Sequence, residues 1–200
     1  MKILLTGAGG QLGQALCASV PPGVELIATS RQELDLSDAL ACRSVVHHHR
    51  PDWVLNAGAY TAVDKAESEP QLAHAVNAEA PRAFAEALVE TGGRLLQVST
   101  DFAFNGCQGH PYQPDQPCKP LGIYGSSKAA GEEAVEAILG CGAAGAATIL
   151  RTSWLYGPVG RNFLLTMLRL HRLKTEAGQP LSVVADQVGC PTSTLGLAEA

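Results

Sequence analysis

Short apolar runs rich in leucine and β-branched residues alternate along the chain with longer stretches whose apolar positions recur every three to four residues. The runs are KILLT (2–6), VELIAT (24–29), WVLNAG (53–58), RLLQVS (94–99), AATILR (146–151) and LSVVA (181–185), and each predicts a strand. Helical periodicity falls between them, near 11–20, 38–49, 71–91, 124–140 and 161–173. Runs this continuous leave no polar face for solvent, so the strands are expected to be buried on both sides, as parallel strands under crossover helices are. A strict β–α alternation of this kind predicts an α/β fold, a doubly wound parallel sheet of the Rossmann type.

Two segments depart from the rhythm. DFAFNGCQGHPYQPDQPCKP (101–120) has no periodicity and reads as a long loop after the fourth strand, where open α/β sheets bind ligands. PTSTLGLAEA (191–200) places Thr192, Ser193 and Thr194 ahead of an apolar stretch, the signature of a helix cap with the helix just begun. The expected organisation is a dinucleotide-binding Rossmann domain over 1–185 that carries the catalytic residues. Residues 186–200 would then open a smaller substrate-binding region of which only the start is present.

Composition narrows the partners. With 46% hydrophobic and 16% charged residues over 200 positions, the chain suits one well-buried domain. A formal charge of -5 and the lack of any Lys/Arg cluster argue against nucleic acid and against an anionic membrane surface. No run approaches the ~20 apolar residues of a membrane span. The opening MKILLTGAGGQLG breaks into glycines too early for a signal peptide, so a cytoplasmic location is expected. Six cysteines, at 17, 42, 107, 118, 141 and 190, form no CxxC pair and read as reduced, structural thiols. His47, His48 and His49 point in three directions on a helix, so no metal is assigned to them.

The candidate chemistry begins in TGAGGQLG (6–13), which sets Gly7, Gly10 and Gly13 between the first strand and the first helix. One glycine permits the tight turn, the next a close approach of backbone to a pyrophosphate, and the third close packing of helix on strand; the helix N-terminus faces the phosphates. At the end of the second strand, where NAD sites place an acid on the ribose, stand Thr29, Ser30 and Arg31. No carboxylate there repels a 2'-phosphate and a guanidinium is placed to pair with it, which favours NADPH over NADH. Asp35 lies too far on for the ribose and is left between an adenine contact and a loop or capping residue.

The fourth strand ends in VSTDFAF (98–104), bringing Ser99, Thr100 and Asp101 to the edge where ligand groups converge, and a hydroxyl there can orient a substrate carbonyl. LGIYGSSKAAGEE (121–133) then sets Tyr124 four residues before Lys128, on one face of a helix. A nearby ammonium is expected to stabilise the phenolate and lower the tyrosine pKa from its usual ~10, making Tyr124 a general acid. Glycine loop, strand-end hydroxyl and Tyr–Lys helix stand in the order a nicotinamide oxidoreductase requires.

Six stretches, ILLTGAGGQLG, RPDWVLNAGAYTAVDKAESEP, VSTDFAFNG, PLGIYGSSKAAGE, RTSWLYGPVGRNF and VVADQVGCPTS, carry a family resemblance over nearly the whole chain. The chain resembles the extended short-chain dehydrogenases/reductases, and within them the dTDP-4-dehydrorhamnose reductase family, which reduces a 4-keto-6-deoxy sugar nucleotide to dTDP-L-rhamnose. The resemblance implies a pyrophosphate loop of Gly7, Gly10, Gln11, Leu12 and Gly13, an adenine pocket at Asp35 and Leu36, and a cofactor-lining turn of Ala59, Tyr60 and Thr61. It implies a catalytic set of Thr100, Tyr124 and Lys128, with Val98 beside the cofactor, Asp101 and Phe102 in the substrate loop, and Trp154 against the sugar nucleotide. Members of that family continue further and grip part of the substrate there. Some relatives hold magnesium at a dimer interface, with ligands outside these residues; no metal is assigned, and a homodimer is the protein partner the resemblance suggests. Two other readings stay open: a nucleotide-sugar epimerase or dehydratase that recycles a retained cofactor, and a regulatory subunit that keeps the cofactor pocket without chemistry.

Overall fold

Five parallel strands organise the chain in a computed structural model that describes residues 1–200. They are β1 (Lys2–Thr6), β2 (Glu25–Thr29), β3 (Trp53–Asn56), β4 (Arg94–Thr100) and β5 (Ala147–Thr152), in the order β2-β1-β3-β4-β5. The order reverses between β1 and β3, so a crevice opens there at the carboxyl ends of the strands. Helices cover both faces, as the apolar runs require. On one face lie α2 (Ala39–His49), α5 (Ala80–Thr91) and α6 (Ile123–Leu139), packed side by side. Helix α1 (Gln11–Ala18) is packed by the last helix, α8 (Thr194–Glu199). The main core gathers between β1, β3 and β4 and the α2–α5–α6 layer, around Leu4, Val46, Val54, Phe84, Leu88, Leu95 and Val135.

The helix expected over 71–91 is interrupted. It runs as α4 (Pro70–His74), one π turn (Ala75–Glu79) and then α5, after a four-residue α3 (Val63–Ala66) that periodicity does not reveal. Pro81 explains the interruption: it has no N–H to offer the Asn77 carbonyl four residues earlier, and the ladder widens where that bond is lost. Gly131 of α6 lies against the freed carbonyl, with no room for a Cβ.

One expected strand is absent. LSVVA (181–185) pairs with nothing, and Val183 and Val184 stand exposed, because no strand beyond β5 offers it a ladder. The chain instead forms a second, two-stranded parallel sheet of β6 (Leu155–Tyr156) and β7 (Thr192–Ser193). Between them, α7 (Phe163–Glu176) is capped by Asn162, whose side-chain oxygen accepts from the Leu165 amide at 2.9 Å. Ser193 caps α8, as the run Thr192–Ser193–Thr194 predicts. No helix is long and apolar enough to cross a membrane.

Candidate active site

The glycine turn is shaped by what a side chain would strike. Gly7 has φ +69°, and a Cβ on it would lie 2.6 Å from the Cα of Gly58, in the turn after β3. A Cβ on Gly13 would overlap the Gly7 carbonyl, so the first turn of α1 sits directly on the loop. The Gly10 amide donates to the Gly7 carbonyl at 2.9 Å, and Gly10 caps α1 without any side-chain acceptor. The helix thus presents its first N–H groups and dipole end to a ligand anion. Leu12 and Gly13 are buried beneath this turn. The Gln11 side chain turns elsewhere: it donates to the Arg161 carbonyl at 3.0 Å and accepts from Asn162 at 2.8 Å, clasping the loop ahead of α7.

At the end of β2 the sequence reading needs correction. Glu33 folds back so that its carboxylate accepts from the Ser30 amide at 2.7 Å, which holds its pKa below the usual range. A carboxylate therefore does stand beside Ser30 and the exposed Arg31. Asp35 takes the loop role: it accepts from the Ser37 amide at 2.9 Å and the Ser37 hydroxyl at 2.8 Å, and those bonds lower its pKa. Leu36 is buried against Gly58. Ala59, Tyr60 and Thr61 follow β3; the Tyr60 hydroxyl donates to Glu69 at 2.8 Å, and Thr61 is exposed.

The proposed proton donor lies where β4 meets α6. Thr100 ends β4 and caps a short 3₁₀ turn, Asp101–Ala103, accepting from the Phe102 amide at 3.2 Å while donating to Asp101 at 3.2 Å. Tyr124 stands in the first turn of α6, its ring 5.5 Å from that of Phe102 and edge-on to it. Gly125 permits this approach, because a Cβ there would overlap the Phe102 carbonyl. Burial pushes the Tyr124 phenol up, the nearby Thr100 hydroxyl opposes the rise, and the Asp101 charge adds to it. Asp101 is itself raised, chiefly by burial.

Lys128 is 4% exposed, and its ammonium donates to the Val98 carbonyl at 2.7 Å. Burial brings its pKa down to about 8, against the pull of Glu132. The expected lowering of Tyr124 by Lys128 is not what the geometry gives. The lysine is committed to Val98, the tyrosine feels burial, Thr100 and Asp101 instead, and its pKa moves upward. Ser99 also turns inward, donating to the Glu132 carboxylate rather than facing the crevice. Trp154 follows β5, whose Thr152 is in register with Thr100; it is half-exposed with φ +46°, and Gly189 lies against its ring. Thr100, Asp101, Phe102 and Tyr124 thus form one cluster, Val98 and Lys128 lie behind it, and Trp154 stands on the same sheet edge.

Three supporting residues escape the sequence reading. Buried Asn77, in the π turn, accepts from the Tyr60 amide at 2.9 Å and donates to the Tyr60 carbonyl and to the Ser127 hydroxyl, both at 3.0 Å; Ser127 in turn donates to the Tyr124 carbonyl at 2.8 Å. Buried Glu132 and partly buried Arg151 form an ion pair at 2.6 Å. Arg151 also donates to the Pro114 carbonyl at 3.0 Å and lies 4.8 Å over the Phe104 ring, which stacks on Tyr112, so the pair anchors the long 101–120 loop. Glu132 is detectable in principle: Tyr124, Lys128 and Glu132 are spaced by four and share one helix face.

His47 turns away to face Glu90 at 3.4 Å, whereas His48 and His49 meet edge-on rather than pointing apart. Cys42 is fully buried, which pushes its thiol up to about 12.

The family described as RmlD substrate binding domain matches residues 1–200. A dTDP-4-dehydrorhamnose reductase of Streptomyces griseus is 46% identical over 198 residues, covering 98% of this chain and 62% of its own length. The crystal structure of a dTDP-4-dehydrorhamnose reductase from Clostridium acetobutylicum superposes with a TM-score of 0.91 at 40% identity, covering 100% of this chain and 68% of that one. A dTDP-4-dehydrorhamnose reductase from Bacillus anthracis, in complex with NADP, superposes with a TM-score of 0.90 at 37% identity over 99% of this chain and 68% of that one. The chain therefore spans somewhat under two thirds of the Streptomyces relative's length.

Proposed function

The chain belongs to the RmlD substrate binding domain family, and on that premise we propose that it takes part in NADPH-dependent reduction of the C4 ketone of dTDP-4-dehydrorhamnose to dTDP-L-rhamnose. The observation that carries the reading is the cluster of Thr100, Asp101 and Tyr124 at the carboxyl edge of the sheet, beside a glycine turn that any Cβ at Gly7 or Gly13 would fill. The turn suits a dinucleotide pyrophosphate: Gly7, Gly10 and Gly13 make room for it, and the uncapped start of α1 offers N–H donors. Once bound, such a cofactor supplies the hydride.

The remaining work falls to the chain. Tyr124, protonated at neutral pH as an ordinary phenol is, gives its phenolic proton to the ketone oxygen. The Thr100 hydroxyl, at the end of β4 in the same cluster, orients the same oxygen. Lys128 places a positive charge behind the pair. Phe102 and Trp154 present exposed aromatic faces to the sugar nucleotide, and Asp101 lines its loop. Ser30 and Arg31 serve the adenosine end of the cofactor, with Leu36, Ala59, Tyr60, Thr61 and Val98 along its length. Residues 1–185 act as the cofactor-binding and catalytic domain and 186–200 as the first part of the substrate-binding region.

The test is to mix the protein with NADPH and dTDP-4-dehydrorhamnose and follow loss of the reduced cofactor's absorbance. Tyr124→Phe should lower kcat by about 10²-fold or more with cofactor affinity unchanged. Undiminished turnover in that variant would remove Tyr124 from its role. One observation favours a second reading: Asp101 lies against Thr100 and keeps its proton more readily than a free aspartate, as an acid for an epimerase or dehydratase would. That reading requires the protein to be isolated with tightly held cofactor, visible in its absorbance spectrum.

A further inference from the structure

Three polar side chains cross the interior of the sheet where the strand pattern calls for apolar ones. Thr6, Asn56 and Gln97 are register neighbours on β1, β3 and β4, and they are 1%, 0% and 2% exposed. The Thr6 hydroxyl accepts from the Gly58 amide at 3.2 Å and donates to the Asn56 carbonyl oxygen at 2.5 Å. The Asn56 side-chain Nδ2 donates to the Gln97 side-chain oxygen at 2.7 Å, and the Gln97 side-chain Nε2 donates to the Val98 carbonyl at 2.8 Å. Every donor points the same way, and bonds in series polarise one another. The row ends on the oxygen that also accepts the Lys128 ammonium. It therefore runs unbroken from the turn beside Gly7 to the buried lysine.

Strand cohesion alone does not explain the row, since apolar side chains of similar shape would hold these strands without the cost of burying three polar groups. We propose that Gln97 is a positioning residue for Lys128: its amide fixes the direction of the Val98 carbonyl and shares that oxygen with the ammonium, so the lysine is placed without being locked. The proposal rests on the reading of Lys128 as part of the reaction.

The direction of the effect follows from the charges. Positive amide hydrogens aimed at the shared oxygen weaken its hold on the ammonium, so removing them favours the charged lysine. Few other groups bear on it. Helix α6 contributes Glu132 and Tyr124, the 3₁₀ turn Asp101, and β5 Arg151, which is bound to Glu132. On the π turn, Glu79 faces His74 and Arg82, and on α3, Lys65 faces Glu69. Among them only Glu132 acts on Lys128, favouring its protonated form.

Protein labelled with ¹³C at the lysine Cε is titrated by NMR, the Lys128 resonance being identified by its loss in Lys128→Met. In Gln97→Met the midpoint should rise by about half a pH unit or more, roughly a threefold gain in proton affinity, and kcat at neutral pH should fall while cofactor affinity holds. Should the single variant unfold because Asn56 loses its acceptor, Asn56→Leu with Gln97→Met removes both partners and carries the same expectation. An unchanged midpoint in folded protein overturns the proposal, and so does a shifted midpoint with unchanged kcat. The titration needs no turnover, so failure of the reductase reading shows separately, as no consumption of NADPH by folded wild-type protein, and failure of the Lys128 role as full activity in Lys128→Met.

Discussion

Lys128 titrates close to physiological pH because its surroundings exclude water. Its pKa is about 8 in the folded chain against 10.5 in the unfolded one. Below about pH 8 the folded protein carries a charge that burial opposes, and the penalty fades as pH rises from about 8 toward 10.5, where the unfolded chain also gives up its proton. Lys128→Met should therefore gain most over wild type near pH 7 and lose that advantage by pH 10.5, as read from denaturant midpoints across pH. The same ionisation predicts a fall in kcat above about pH 8 in the wild type. Ser30, whose amide donates to the Glu33 carboxylate, and the adjacent Arg31 are proposed for the adenosine end of the cofactor. Arg31→Ala should raise KM for NADPH severalfold with little change for NADH, measured with both cofactors on one preparation.

Elements here are placed by close approach as much as by propensity. Gly13→Ala would drive a Cβ into the Gly7 carbonyl, so α1 must shift off the loop; cofactor affinity should fall by at least an order of magnitude in a fluorescence titration. The Glu132–Arg151 pair anchors the 101–120 loop to α6 and β5, and Arg151→Met would strand a buried carboxylate at a cost of about 3–5 kcal/mol in urea denaturation. Tyr124, Lys128 and the glycine turn are legible in the sequence because their chemistry depends on spacing. Asn77 and Arg151 are not, because their partners Tyr60, Ser127, Pro114 and Glu132 come from other elements. LSVVA shows the converse: β-branched apolar residues describe a strand only where a neighbour supplies the ladder. The π turn falls between these cases, since Pro81 announces a break without showing that Asn77 will use it.

At the scale of the molecule, the alternation of apolar runs is enough to give the parallel sheet and its two helical layers, because each layer answers to one face of the strands. It does not give the small β6–β7 sheet, whose two-residue strands leave no periodic trace. Phe84, fully buried between the sheet and the helices, should lose about 3–5 kcal/mol on replacement by alanine, measured by urea denaturation. The Gln11 clasp bears on a different matter, the order in which a growing chain can close. Helix α1 completes its contacts only with partners far down the chain: Gln11 with Arg161 and Asn162, Ser19 with Ala198, and its flank with α8. Contacts of such separation form late. Nascent chains ending after β5 should therefore be cut by protease in α1 while the β3–β4 region resists, and α1, made before its partners, would be among the last helices to settle.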